Sequence, residues 1–332
     1  MGYSLQTLSG FEAFLAAQGF DNKSTGEIIS YLEGLGLTTQ VATDIETGGR
    51  PPIPAFSPFA QVDIATNSNV LFNPQGANAV LLDIGDANIT VTGSSNVAVS
   101  AANGDNVINL DGSTGYDDVF LSTGNNTVDT GLGSDTVFGG VGNETYLEKA
   151  GSANDTFYAG TGTNSYTDNS SSSNAFLGAG LSGNDSVVID NTGDGTDTIT
   201  LGQGHNTVAA GSAADNLYIN QSGKGSASVT FGSGQDTVDF ATGNGKGIAG
   251  VVDSVSAGSG PETVDFVGAP ISSAHLYYTP TGVDVTFGGT LIPNGSGGYM
   301  PNPANPPVQV VSITAAPGSD VTLEFTNAHL KA

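Results

Sequence analysis

The residues that could do chemistry in this chain are carboxylates. Asp117, Asp135, Glu144, Asp155, Asp185, Asp197, Asp215, Asp236, Asp253 and Glu262 each stand two residues ahead of an apolar side chain, sixth in a nine-residue block. Asn126, Asn164, Asn206 and Ala227 hold the same place in other blocks. If two blocks close one coil, residues 18 apart stack, which sets Asp117 over Asp135 and Asp197 over Asp215. Carboxylates held one strand spacing apart repel unless they are protonated or bridged by a cation. The surrounding turns add backbone oxygen and neither nitrogen nor sulfur. Such donors suit calcium (Ca2+), several ions in a row, better than magnesium, which demands octahedral geometry and keeps its waters.

Other chemistry is poorly provided for. His205, His275 and His329 are far apart and fit no metal motif, and His-Glu-x-x-His and Gly-x-Ser-x-Gly do not occur. There is no cysteine, hence no disulfide or thiolate metal site. Acid pairs on a β-helix could serve a polysaccharide-modifying enzyme, but such sites also need bases. The chain has 32 acidic and only 6 basic residues, the latter scattered, for a formal net charge of -26. The reading is therefore non-enzymatic. That charge also argues against nucleic acid and anionic membrane surfaces as partners. No apolar run is long enough for a transmembrane helix, so no membrane insertion is expected, and Met1 to Phe20 shows no Sec-type signal.

The elements that must position the acids are short. Blocks 112–120, 121–129, 130–138 and 139–147 follow without a gap, and the frame returns through 257–265. Position 8 is apolar throughout, as at Val119, Val128, Val137 and Tyr146. Positions 1 to 6 are rich in Gly, Ser, Asn and Asp, which tolerate tight turns. Each block thus reads as a turn plus a minimal strand with one side chain inward and two outward. Stacked coils of this kind form an all-β parallel β-roll or β-solenoid, stable only as a stack.

Four segments follow: a helical hairpin at 1–47, a Pro-rich linker at 48–61, the calcium-binding solenoid at 62–268 and an antiparallel β cap at 269–332. In the hairpin, Ser9 with Glu12 and Ser24 with Glu27 read as capping boxes. In the cap, His275–Tyr278 and Val283–Phe287 read as a β-hairpin, followed by strands near Val308–Ile313 and Val321–Phe325.

The blocks resemble the RTX nonapeptide repeat, Gly-Gly-x-Gly-x-Asp-x-apolar-x, of hemolysin-type calcium-binding proteins. Residues 139–147 match it with Glu144 for Asp, and 130–138 match it with Thr130 for the first Gly. The resemblance spans 104–265, and its Gly-Gly pair is mostly degraded to Ser-Gly, Thr-Gly or Ala-Gly. It implies turn carboxylates and carbonyls binding a row of calcium ions, and type I secretion with an uncleaved C-terminal signal, for which 320–332 is compatible. It also implies folding on external calcium, and thus a secreted bacterial surface or matrix protein. The role expected is structural, as in an S-layer, biofilm matrix or adhesin, with self-association and cell-surface polysaccharide as partners. The row Thr127, Thr136, Thr145, Thr156, Thr198, Thr207, Thr237 and Thr263 raises an ice-binding face as an alternative.

Overall fold

The computed structural model describes residues 4–17, 22–34, 41–44, 61–65, 69–72, 79–83, 86–101, 103–149, 154–170, 175–178, 183–189, 195–219, 225–242, 246–249, 251–296 and 298–326. The Pro-rich linker, up to residue 60, and the end of the chain from 327 lie outside the described residues. The chain folds as a parallel β-solenoid with two short N-terminal helices, and divides into two compact units, Met1–Ser165 and Tyr166–Ala332.

In the first unit, Gln61–Ala65, Ala79–Asp83, Val97–Ala101, Asp118–Leu121, Thr136–Phe138 and Thr156–Tyr158 pair in parallel as one sheet. Asn69–Phe72, Asn88–Gly93, Val107–Ser113, Thr127–Asp129 and Thr145–Glu148 form the other. Strands alternate between the sheets along the chain, so each coil contributes one strand to each. The second unit repeats this plan. Ala175–Leu177, Thr198–Leu201, Asn216–Ile219, Thr237–Ala241, Pro261–Val267 and Asp320–Thr326 form one sheet. Ser186–Ile189, Gly204–Ala209, Gly225–Thr230, Val251–Ser256 and Gln309–Thr314 run parallel in the other.

Strands of three to seven residues bury little singly, and the register shows how stacking compensates. Val119, Val137 and Phe157 lie opposite one another and are buried, as are Ile108, Val128 and Tyr146. Inside the second unit, Ile199, Leu217, Val238 and Val264 make the equivalent column. Turns stack backbone on backbone: a Cβ on Gly142 would come within 1.7 Å of the Gly124 carbonyl oxygen. Gly124 itself has φ +136, a conformation that L side chains rarely adopt. The turn glycines therefore set how closely coils approach.

Three details differ from the sequence reading. The first helix, α1, spans Leu8–Ala17 and is capped by Thr7 rather than Ser9, with the Gly10 N–H donating to Thr7 Oγ1 at 3.1 Å. The second, α2, spans Asn22–Gly34, so Ser24 falls inside it rather than at its cap. Phe11, Leu15, Ile28 and Leu32 bury the hairpin, whose second helix lies along strands Val97–Ala101 and Asp118–Leu121. At the C-terminal end, Ala274–Thr279 and Gly282–Phe287 form the expected antiparallel hairpin. Gln309–Thr314 pairs antiparallel with Gly282–Phe287 as expected, but its other side runs parallel to Val251–Ser256, and Asp320–Thr326 adds in parallel to Pro261–Val267. They make one further coil because alternation of inward apolar residues (Val311 and Ile313, Leu323 and Phe325), not the turn motif, is what a parallel ladder requires.

Candidate metal centre

All ten carboxylates singled out by their spacing are buried: Asp117, Asp135, Glu144, Asp155, Asp185, Asp197, Asp215, Asp236, Asp253 and Glu262 are at most 4% exposed. Eight of them precede a short strand by one residue, while Asp253 and Glu262 lie inside Val251–Ser256 and Pro261–Val267, and inward alternation turns them toward the interior. They do not form one series. One sheet edge carries Asp117, Asp135 and Asp155 in the first unit, and Asp197, Asp215, Asp236 and Glu262 in the second. The other edge carries Asn106, Asn126, Glu144 and Asn164, and in the second unit Asp185, Asn206, Ala227 and Asp253. Glu144, Asp185 and Asp253 are thus stacked on Asn or Ala, not on acids. The expected stacks of Asp117 on Asp135 and Asp197 on Asp215 are present.

In both rows one side-chain oxygen accepts the backbone N–H of the row residue one coil earlier. Asp117 N–H donates to Asp135 Oδ1 (3.0 Å), Asp135 N–H to Asp155 Oδ1 (2.7 Å) and Asp215 N–H to Asp236 Oδ1 (3.0 Å). Asn106 N–H donates to Asn126 Oδ1 (3.0 Å) and Asp185 N–H to Asn206 Oδ1 (2.8 Å). Asparagine and aspartate part at the second side-chain atom, although Asn126 Nδ2 and Glu144 Oε1 in the mixed row are also buried without a partner. Asn164 Nδ2 donates to the Gly160 carbonyl and Asn206 Nδ2 to the Gly202 carbonyl, each at 3.2 Å and four residues back. An aspartate has an oxygen there, which cannot donate. Asp215 Oδ2 and Asp236 Oδ2 are buried with no hydrogen-bond partner. Asp135 Oδ2 instead accepts the Gly131 N–H at 3.2 Å.

The electrostatics follow. Burial raises Asp135 to about 7, with Asp155 and Asp117 pushing the same way. Burial raises Asp236 to about 7, reinforced by Asp215 and Glu262. Burial likewise takes Asp117 and Asp215 to about 6, and raises Glu144 and Glu262. Neutral pH therefore leaves the acidic row short of positive charge.

The residues fit a hard cation in one respect: buried oxygens without donors, beside turn carbonyls, in an all-oxygen setting. Among the described residues no three acidic or histidine side chains converge on one point. Carbonyls and water would have to complete the coordination of any ion held by Asp117, Asp135, Asp155, Asp197, Asp215, Asp236 or Glu262. Elsewhere a side chain does this work. Lys149 Nζ bridges Asp111 Oδ2 (2.5 Å) and Asp129 Oδ2, tying neighbouring coils by a shared positive charge.

Some polar and charged positions lie outside the sixth place of the nine-residue frame. Asn106 heads the mixed row but precedes the regular blocks. Asp239, Asp265 and Glu324 lie opposite one another on three adjacent strands, with Asp265 buried and Glu324 exposed. Burial, then Asp265 and Glu324, raise Asp239 to about 6. The signal was a recurring acid right after the position-8 residue in blocks 231–239 and 257–265. The threonines expected in one row are divided. Thr136 and Thr156 lie on one sheet of the first unit and Thr127 and Thr145 on the other, with Thr198, Thr237 and Thr263 separated from Thr207 in the second.

Comparison with known proteins returned nothing: no family model, no curated protein and no solved structure matches the chain.

Proposed function

We propose that this chain is a secreted, calcium-binding structural β-solenoid of a bacterial surface or extracellular matrix, without enzymatic activity. One observation carries the proposal: a row of buried acids whose second oxygens, at Asp215 and Asp236, lack a donor, where Asn164 and Asn206 of the other row donate to a turn carbonyl. Ionised, such a row opposes its own stacking, and a divalent cation is the counter-charge that oxygen ligands select. When bound, calcium would supply positive charge to adjacent coils at once. The acids would hold it, and the turn carbonyls together with water would complete its coordination.

The coupling to export is electrostatic. In low calcium the ionised row disfavours folding and keeps the chain extended for type I secretion, and calcium outside completes the stack. The same placement supports a non-catalytic role, because acids at most 4% exposed inside a coil are not open to a polysaccharide substrate. Assembly into an S-layer-like, matrix or adhesive array, through self-association or surface polysaccharide, belongs to the same reading.

The test is circular dichroism with light scattering during a calcium titration of chelated protein. A coil-to-β transition followed by rising scattering is expected. A β spectrum indifferent to chelator would show that hydrogen bonds alone close the turns, and calcium-driven folding would be dropped.

A further inference from the structure

The two sheets of the second unit end differently. Beyond Gln309–Thr314 the antiparallel strand Gly282–Phe287 continues one sheet, with Val285 and Phe287 fully buried. The other sheet stops at Asp320–Thr326, whose neighbour among the described strands is Pro261–Val267. One coil earlier the inward residues Val264 and Phe266 are fully buried. Their counterparts Leu323 and Phe325, and Val321 beside them, are half-exposed, although the Phe325 ring stacks on Phe266 at 5.1 Å. Among the described residues, no strand covers this side of the core along the seven-residue edge. Such an edge is a template for another strand.

The strand's own sequence, Asp-Val-Thr-Leu-Glu-Phe-Thr, says which strand fits. Set antiparallel to a second copy about Leu323, it pairs Asp320 with Thr326 and Thr322 with Glu324 on the outer face. On the inner face it pairs Val321 with Phe325 and Leu323 with itself. Every acid then meets a threonine hydroxyl, and every half-exposed apolar residue meets another. Shifting the register by two residues either way sets Asp320 against Glu324 or Glu324 against Glu324. A shift of one turns the apolar set outward. Parallel in-register pairing stacks both acids on themselves, which is unfavourable across strands and worse in a chain of net charge -26. We infer that this edge joins two copies of the chain tail to tail, as an antiparallel two-fold strand pair centred on Leu323. The inference rests on the self-association in the function proposed above and specifies its geometry.

Sedimentation equilibrium of the full chain in calcium tests it, with circular dichroism on the same samples. The wild type is expected to show a concentration-dependent dimer. Thr322 is exposed, so changing it leaves the fold intact. Thr322→Glu sets two acids opposite each other twice per dimer and should weaken association roughly five- to tenfold. The double variant Thr322→Glu with Glu324→Thr has the wild-type charge and restores acid opposite threonine, so the dimer should return. A wild type that folds in calcium but stays monomeric overturns this inference and the self-association it rests on, and leaves calcium-driven folding standing. So does a dimer indifferent to Thr322→Glu, or one the double variant fails to rescue. A wild type that does not respond to calcium instead overturns the calcium reading.

Discussion

Asp215→Asn separates a cation-dependent acidic row from a mere hydrogen-bond ladder. Asp215 is 1% exposed, its Oδ1 accepts the Asp197 N–H at 3.2 Å, and its Oδ2 has no partner. Burial holds its carboxyl at about 6 against an ordinary 3.8. Keeping it ionised in the fold therefore costs about 3 kcal/mol, at ~1.36 kcal/mol per pH unit. Asparagine removes that charge and keeps the Oδ1 acceptor. It also places an NH2 where Asn164 and Asn206 donate to the glycine carbonyl four residues back, here Gly211. That bond adds about 1 kcal/mol. In chelator at pH 8 the variant should be more stable than the wild type by about 4 kcal/mol, read from urea unfolding. In saturating calcium the gain should vanish or reverse, since a ligand has been lost. Asp215→Ala should show no such gain, because it also strands the buried Asp197 N–H at a cost of about 1–3 kcal/mol. If Asp215→Asn destabilises equally with and without calcium, the ionised carboxylate is already satisfied by protein, and the reasoning fails.

The pH dependence of calcium-stripped protein should carry the same signature. Asp117, Asp135, Asp215 and Asp236 have folded-state values raised to about 6, 7, 6 and 7 from 3.8, so the fold binds more protons than the unfolded chain. Their contribution is full below about pH 4 and lost as pH rises through 6 and 7. Melting temperature should therefore fall across that range, and a flat or rising profile would contradict it. Gly142→Ala should destabilise by more than about 3 kcal/mol, as strained overpacking of backbone against the Gly124 carbonyl. Gly26→Ala, inside α2 with nothing near its Cβ, should instead stabilise by about 0.5–1 kcal/mol. Equal effects in thermal melts would deny that coil stacking sets the need for glycine. Lys149→Met removes the bridge between Asp111 and Asp129. Because the lysine is 42% exposed, the loss should stay near 0.5 kcal/mol at physiological salt and disappear at high salt.

The solenoid was legible because its physics repeats. A single apolar position every nine residues, framed by turn formers, admits few solutions other than stacked minimal strands, and Val119, Val137 and Phe157 fall in one buried column as that period requires. The sorting of acids was less legible. A nine-residue period describes both sheets with one motif, so Asp135 and Asn126 look like variants of one site until the coil sets them on opposite edges. Insertions such as that between Asp215 and Asp236 also spoil a strict count of 18. The last coil was missed because Gln309–Thr314 and Asp320–Thr326 keep the alternation of a ladder strand but lack the turn motif, and the hairpin between the coils breaks the count.

The contrast between the rows bears on why the chain would retain so many buried acids. Asparagine closes the same turn with protein atoms alone, as Asn164 and Asn206 do, so aspartate is not needed for the ladder itself. Choosing it exchanges an unconditional hydrogen bond for one that needs a proton or a cation. With asparagine at some positions of one row and acids throughout the other, the calcium reading expects a stack closed partly by protein atoms and completed where the missing charge is available. That is a poor arrangement for a protein that must be stable everywhere, and a suitable one for a chain that must stay unfolded in one compartment and fold in the next.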